Sequence, residues 1–445
     1  LLVTFALPQA PLDEANWQEL HQNGISAVAL RPDATTVAEV PIFEPSANSN
    51  HQRVILPYTQ TAGPESRWLE KQLEVYDNLR SYWTDLFAAH QVKVHVTWYK
   101  YDANHFAIGD ALRSLGGVAT IYQRAYESHP SAETMMAADI VFGFSPSVAA
   151  VERLSRSQIR YHVTTGYIGD HRHRLLKNAA QKVRSQLQQH GAQQILSFTD
   201  ENSGDDSRWH TGHPFMRANY AFLLEKVLAN PWLGILLKPK TPGTLRRRLG
   251  PVAELLAAAE ATGRCYIYDD GVIQGSHSPA EAALAADVAV HGHLCAATAG
   301  IEAALAGTPT LLLDREGWPT SPLYQLGTGQ VAFTDWDDLW QACLSHWSAP
   351  EGSPGFGDWS SLMAEIDPFR DGKAAQRMGT YIQWLLEGFR EGFDRETVMS
   401  QAAERYCAQW GADKITEVNS DLLGNLPSHQ QTLAFPDPPS LLTRS

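Results

Sequence analysis

The spacing of apolar residues divides the chain into two series of short apolar runs separated by stretches of helical periodicity. In the first series, residues 2–7 are apolar, 13–23 have helical spacing and 25–30 are apolar again, a βαβ-like opening. Residues 41–49 are turn-rich, and 54–57 have the character of a further strand. Leu69, Leu73, Tyr76, Leu79, Trp83 and Leu86 recur at intervals of three or four, which predicts an amphipathic helix over 66–90. A strand follows at 92–98, then a helix over 106–115 stopped by Gly116-Gly117, then strands at 118–122, 139–144 and 159–163.

A polar helix over 172–190 interrupts this pattern, which then restarts. Strands are predicted at 194–198, 233–237, 265–268, 287–291 and 310–313, with helices at 215–229, 252–261, 279–285, 298–306 and 336–346. Strands alternating with helices imply mainly parallel sheets, so the expected fold class is α/β with two Rossmann-like halves. Residues 347–360 read as a loop. Residues 374–410 read as helical, with Tyr381, Leu385, Leu386 and Phe389 on one face.

Composition narrows the class. A chain of 445 residues exceeds what one core usually serves, and 44% hydrophobic with 19% charged residues is ordinary globular composition. No apolar run approaches the ~20 residues that span a bilayer. Residues 1–7 read as a first strand without the basic flank of a signal peptide. A formal net charge of −14 excludes nucleic acid as the main partner and disfavours an electrostatic membrane anchor. Cys265, Cys295, Cys343 and Cys407 are far apart with no CxxC, as expected of reduced thiols in a cytosolic protein. The thirteen Trp residues are read mainly as packing, with sugar stacking as their second use.

Ligands of a doubly wound sheet bind beyond the carboxyl ends of its strands, so the loops of the second series carry the candidate chemistry. After its first strand come Asp200, Glu201, Asp205 and Asp206, four acids within seven residues. Asp200 or Glu201 is the expected catalytic carboxylate, as general base or nucleophile, and its acidic neighbours should raise its pKa. The plainer reading is a solvated polar loop. The next strand ends in Lys238-Pro239-Lys240, two cations suited to a diphosphate, or else ordinary surface lysines. The fourth strand runs into His291, His293 and a small-residue loop, then a helix beginning Thr298-Ala299-Gly300. Small residues there let an anion approach the helix N-terminus, and Glu302 in the first turn is placed for ribose hydroxyls. No HExxH or third ligand accompanies the histidines, so no metal is expected.

The sequence from the Lys-Pro-Lys loop through "ADVAV" to "TAGIEAALAGTPTLLLD" resembles the donor-binding domain of GT-B glycosyltransferases. It is most similar to bacterial capsule and surface-carbohydrate biosynthesis proteins and to the polyglycerol-phosphate transferases. The likeness covers residues 194–345 and extends to 116–124, 163–167 and 367–374. Lys240 stands where those families often have His, and Ala296-Ala297-Thr298 where they often have paired Ser.

The resemblance implies two Rossmann-like domains facing a cleft. The expected boundaries are an acceptor domain over 1–170, a connecting helix over 171–193, a nucleotide-donor domain over 194–346, a helical region over 347–412 crossing back to the first domain, and an irregular tail over 413–445. Gln123 and Arg124 would face the cleft and hold the acceptor or the leaving phosphate, unless Arg124 pairs with Glu127. Asp367, Arg370, Asp371 and Lys373 are expected to cap the following helix.

The expected function is transfer of a sugar from a CMP-, CDP- or UDP-type donor to a glycan or lipid-linked acceptor in bacterial surface polysaccharide assembly. It would be cytoplasmic, at most peripheral at the inner membrane face, with no metal or other cofactor. A polyol-phosphate transferase using a CDP-alcohol, a non-catalytic nucleotide-binding subunit and a sugar-nucleotide epimerase are the alternatives.

Overall fold

The computed structural model describes residues 2–6, 11–45, 63–101, 104–127, 129–132, 134–206, 211–269, 271, 277–294, 297–315, 317 and 321–418. The strand expected at 54–57 lies outside these residues. The first half contains β1 (Leu2–Phe5), α1 (Glu14–Gln22), β2 (Ser26–Ala29), α2 (Pro64–Ala89), β3 (Val94–Thr97), α3 (Asn104–Ser114), β4 (Val118–Tyr122), β5 (Ala137–Gly143), α4 (Pro146–Leu154) and β6 (Gln158–Thr164). α5 (Arg172–Gln189) leads to β7 (Gln194–Thr199), α6 (His213–Ala229), β8 (Leu233–Lys238), α7 (Leu245–Leu249), α8 (Val252–Ala261) and β9 (Cys265–Ile267). Next come α9 (Pro279–Leu284), β10 (Val288–His291), α10 (Thr298–Leu305), β11 (Thr310–Leu313), β12 (Ala332–Phe333) and α11 (Trp336–Ser348). The chain closes with α12 (Ser360–Ile366), α13 (Ala374–Arg390), α14 (Arg395–Trp410) and β13 (Ile415–Glu417).

These strands form separate sheets. The larger has the order β12-β11-β10-β7-β8-β9, parallel throughout. Numbered from β7, that is the 3-2-1-4-5-6 order of a Rossmann sheet, with the direction of winding reversing between β7 and β10. The second sheet runs β13-β6-β5-β4-β3 and is parallel except for β13. β1 and β2 pair in parallel around α1, as the opening pattern predicts, but as a small sheet of their own.

Side chains explain the layering. Leu196, Phe198, Ile235, Leu237, Val288 and Val290 bury one face of the larger sheet against α6, α8 and α11. Ala180, Val183 and Leu187 of α5 cover the other face through Ile195 and Leu236, so the connecting helix is also a packing layer. α13 and α14 return to the first half, where Tyr381, Leu385, Val398 and Tyr406 pack on Val118, Ile140, Phe142 and Val163. The crossing stretch is two helices, broken around Gly392 at φ 87°, a conformation that favours glycine.

One boundary needs correction. The expected tail at 413–445 begins with a strand: Ile415–Glu417 pairs antiparallel with Tyr161–Val163 as β13 and extends the first sheet. Three residues carry too little alternation to be recognised as a strand, and β6 supplies the ladder that orders them.

The loops after β4 and β6 meet α10, which follows β10. Tyr126 N–H donates to Thr298 Oγ1 at 2.7 Å, and Tyr167 Oη donates to Glu302 at 2.8 Å. The carboxyl ends of the two sheets therefore face each other, with helices crossing back: a GT-B architecture.

Candidate active site

The reversal between β7 and β10 is where a Rossmann sheet opens for a ligand. Thr199, Lys238 and His291 lie level across that edge, since Thr199 pairs with both of the others in register. Each strand delivers one polar group there.

Asp200 and Glu201 diverge. Asp200 is buried, accepting from Tyr220 Oη at 2.9 Å and from the Lys240 backbone N–H at 2.6 Å. Burial raises its pKa, against the opposing pull of the Lys240 N–H, Arg248 and Tyr220. Both oxygens are engaged, so Asp200 ties the β7 loop to the β8 loop; neither a free base nor a solvated loop describes it. Glu201 pairs with Lys240 Nζ at 2.9 Å and keeps partial exposure. Burial pushes its pKa up, but Lys240, His291 and His293 together outweigh that and hold it below the ordinary carboxylate value. The raised pKa expected from acidic neighbours is thus corrected at Glu201, because the Lys240 ammonium and two imidazoles face it.

The two lysines differ as well. Lys238 is buried with Nζ against the Pro239 carbonyl at 3.0 Å, whereas the Lys240 ammonium is about half exposed beside Glu201. His291 is buried, its Nδ1 2.9 Å from Thr199 Oγ1, and its ring lies 5.8 Å from that of His293. Glu201, Lys240, His291 and His293 therefore form one cluster. Tyr101 of the first half lies within electrostatic reach of Glu201, which places this cluster across the cleft from the segment after β3.

Several expected ligand groups have protein partners. Thr298 Oγ1 accepts from Tyr126, and Glu302 accepts from Tyr167 Oη and from the Ala280 N–H at 3.3 Å. Ala299 and Gly300 sit in the first turn of α10, whose N-cap has no side-chain hydrogen bond. A Cβ on Gly300 would come within 2.8 Å of Leu312, so packing against β11 accounts for this glycine without any ligand.

On the opposite wall, the Gln123 side chain is spent within the fold: its Oε1 accepts from Phe144 N–H and its Nε2 donates to the Ala125 carbonyl. Arg124 leaves Glu127 to Lys100 (2.6 Å) and stacks over Trp98 at 4.1 Å.

Asp367 does not cap the following helix α13, whose N-cap position is Lys373; it lies at the C-terminal end of α12. Fully buried, it accepts from the N–H groups of Tyr167, Phe369 and Arg370 and clamps the returning chain to the loop after β6. Asp371 holds Arg377 through both oxygens, and Arg377 Nε donates to the Thr165 carbonyl. The sequence likeness at 163–167 and 367–374 is the one signal for this junction.

Cys265 and Cys343 are buried free thiols, pushed up to about 12 by burial, and Cys407 is half-buried; Cys295 lies outside the described residues. Among the described residues, no group of three or more His, Cys, Asp or Glu is placed to hold a metal ion, and no helix is long and apolar enough to cross a membrane.

No family model matches the chain, and no curated protein matches it in sequence. Among solved structures it is similar to a Staphylococcus aureus MnaA–UDP co-structure, with TM-score 0.48 and 12% identity over 87% of this chain and 96% of that one. It is similar to HepE of Anabaena in complex with UDP and glucose, with TM-score 0.39 and 12% identity over 91% and 90%. It is also similar to the wall teichoic acid polymerase TagF with CDPG, with TM-score 0.43 and 10% identity over 86% and 87%. The fold assignment stands on the strand order and the facing sheet ends.

Proposed function

We propose that the protein is a glycosyltransferase that moves a sugar from a nucleotide-activated donor to a glycan or lipid-linked acceptor. The observation that carries this reading is the Glu201–Lys240–His291–His293 cluster at the reversal point of the Rossmann sheet. Lys240 and the N-terminus of α10 would neutralise the departing phosphate without a divalent ion. Glu201, ionised at neutral pH, suits stabilisation of positive charge at the anomeric carbon or attack on it better than base catalysis tuned near pH 7. A histidine beside it is the natural proton acceptor for the incoming hydroxyl. The two domains would close on the donor. Assembly of a bacterial surface polysaccharide is the proposed setting.

Thermal-shift measurement with CMP, CDP, UDP and GDP tests the donor reading, since a bound nucleotide stabilises by mass action. Product analysis with radiolabelled donors then separates sugar transfer from polyol-phosphate transfer and epimerisation. A second reading is a nucleotide-binding subunit without catalysis, which the departures at Lys240 and Ala296-Ala297 from the pattern of the families it resembles keep open. Nucleotide stabilisation without turnover would select it.

A further inference from the structure

The segment after β3 carries three aromatic residues in four positions: Trp98, Tyr99 and Tyr101, with Lys100 between the tyrosines. Lys100 turns inward and is buried, paired with Glu127 and donating to the Thr134 carbonyl. That anchor sets the alternation, so Tyr99 and Tyr101 remain exposed, at 40% and 53%. The rings form a chain of edge-to-face contacts, Trp98 to Tyr99 at 5.5 Å and Tyr99 to Tyr101 at 5.7 Å. Arg124 lies over Trp98 at 4.1 Å. Such stacking uses the face of the guanidinium and leaves donors directed along its plane.

We propose that Trp98, Tyr99, Tyr101 and Arg124 form a platform for an acceptor oligosaccharide that carries an anionic group, carboxylate or phosphate. This rests on the glycosyl-transfer reading above. Single exposed aromatics are ordinary, but here a row of them is held on a fixed segment at the carboxyl end of a parallel strand, the ligand end of such a sheet. Tyrosine offers an apolar face and a hydroxyl edge, which matches the C–H face and hydroxyl rim of a pyranose. The row ends at Tyr101, within electrostatic reach of Glu201, so a chain lying along it leads toward the candidate catalytic cluster. Arg124 presents a cation to that chain in a molecule of net charge −14, which supplies the preference for an acidic sugar.

Binding to the full chain would be followed by saturation-transfer NMR and titration, using a hyaluronan hexasaccharide (carboxylate), a phosphorylated mannose oligosaccharide (phosphate) and neutral maltohexaose. At least one acidic probe should bind about 10-fold or more tighter than the neutral one, the value of one charge-assisted hydrogen bond; which acid it is identifies the anionic group. Tyr99→Ala with Tyr101→Ala should weaken that binding about 10-fold, as expected for two ring contacts, while Tyr99→Phe with Tyr101→Phe retains most of it. Arg124→Gln should erase the difference between acidic and neutral probes. Equal affinity for all three probes, no binding of either acidic probe, or an alanine double variant that binds like the parent would each overturn the proposal. Nucleotide thermal shift is the separate arm. If nucleotides fail to stabilise the protein while an acidic probe binds, the donor reading falls and the platform stands. If a nucleotide stabilises it while neither acidic probe binds, the platform falls and the donor reading stands.

Discussion

Successive residues at the end of β7 point to opposite sides, so Asp200 enters the domain built on the larger sheet and Glu201 reaches the cleft. This gives them separable roles. Glu201→Gln keeps shape and removes charge, and it should lower transfer at least ~100-fold while nucleotide stabilisation persists. Asp200→Asn should instead cost roughly 1–3 kcal/mol of stability, because an amide cannot accept from both Tyr220 and Lys240 as a carboxylate does. Radiolabelled transfer assays and urea denaturation read the two effects; normal transfer by Glu201→Gln would remove that carboxylate from the mechanism. The sequence makes the acidic loop visible but not its orientation, because the partners Tyr220, Lys240 and His291 come from three other elements.

His95 on β3 offers a residue-scale test by pH. It packs against Phe87 and Trp83, with ring separations of 5.6 and 6.3 Å, and burial lowers its pKa from 6.5 to about 4. The folded state favours the neutral ring, so the unfolded chain binds the proton more readily. This stabilising contribution is complete above pH 6.5 and is lost as pH falls from 6.5 through 4, amounting to at most about 3 kcal/mol for a partly exposed ring. Burial also lowers His173, His213 and His346, so the comparison must be between parent and variant. His95→Phe should lose less Tm than the parent between pH 6.5 and 4.5. Identical slopes would show that His95 titrates normally.

At the scale of elements, apolar periodicity identifies most helices and long strands because each has one face to bury. α2, α5 and α6 fall close to their expected limits for that reason, and the helical stretch expected over 374–410 divides into α13 and α14. What periodicity misses are the short helices α4, α7 and α12, and strands ordered by contact: β12, two residues long, and β13, three. The Asp367 junction is equally non-local, since a helix cap and a cross-chain clamp both begin with an acid before a helix. Asp367→Ala would leave the buried N–H of Tyr167 and the part-buried N–H groups of Phe369 and Arg370 without their acceptor. It should destabilise the protein by roughly 1–3 kcal/mol, the cost of the one fully buried orphaned donor. A chemical-denaturation midpoint equal to that of the parent would show that the junction is not structural.

The whole molecule turns on what Glu302 contacts. The Rossmann order predicts a ligand at the reversal point, and an acid early in the helix after β10 predicts a contact between Glu302 and ribose hydroxyls. In the structure Tyr167 reaches over from the other domain and occupies it, while Tyr126, Phe144 and Tyr167 pack with Leu294, Ala297 and Ile301. Such a contact between segments 135 positions apart is invisible in sequence. If donor binding requires Glu302, Tyr167 competes with the nucleotide, and opening of the domains precedes binding. Tyr167→Phe keeps the ring in the apolar cluster and removes only the hydroxyl. It should tighten nucleotide binding about 10-fold, by removing a hydrogen bond to a charged acceptor worth ~1.5 kcal/mol, and lower fold stability by a similar amount. Calorimetric titration with the nucleotide selected by thermal shift gives the first number and denaturation the second. Lower stability with unchanged affinity would mean that Glu302 is a strut between the domains and that the ribose is held elsewhere.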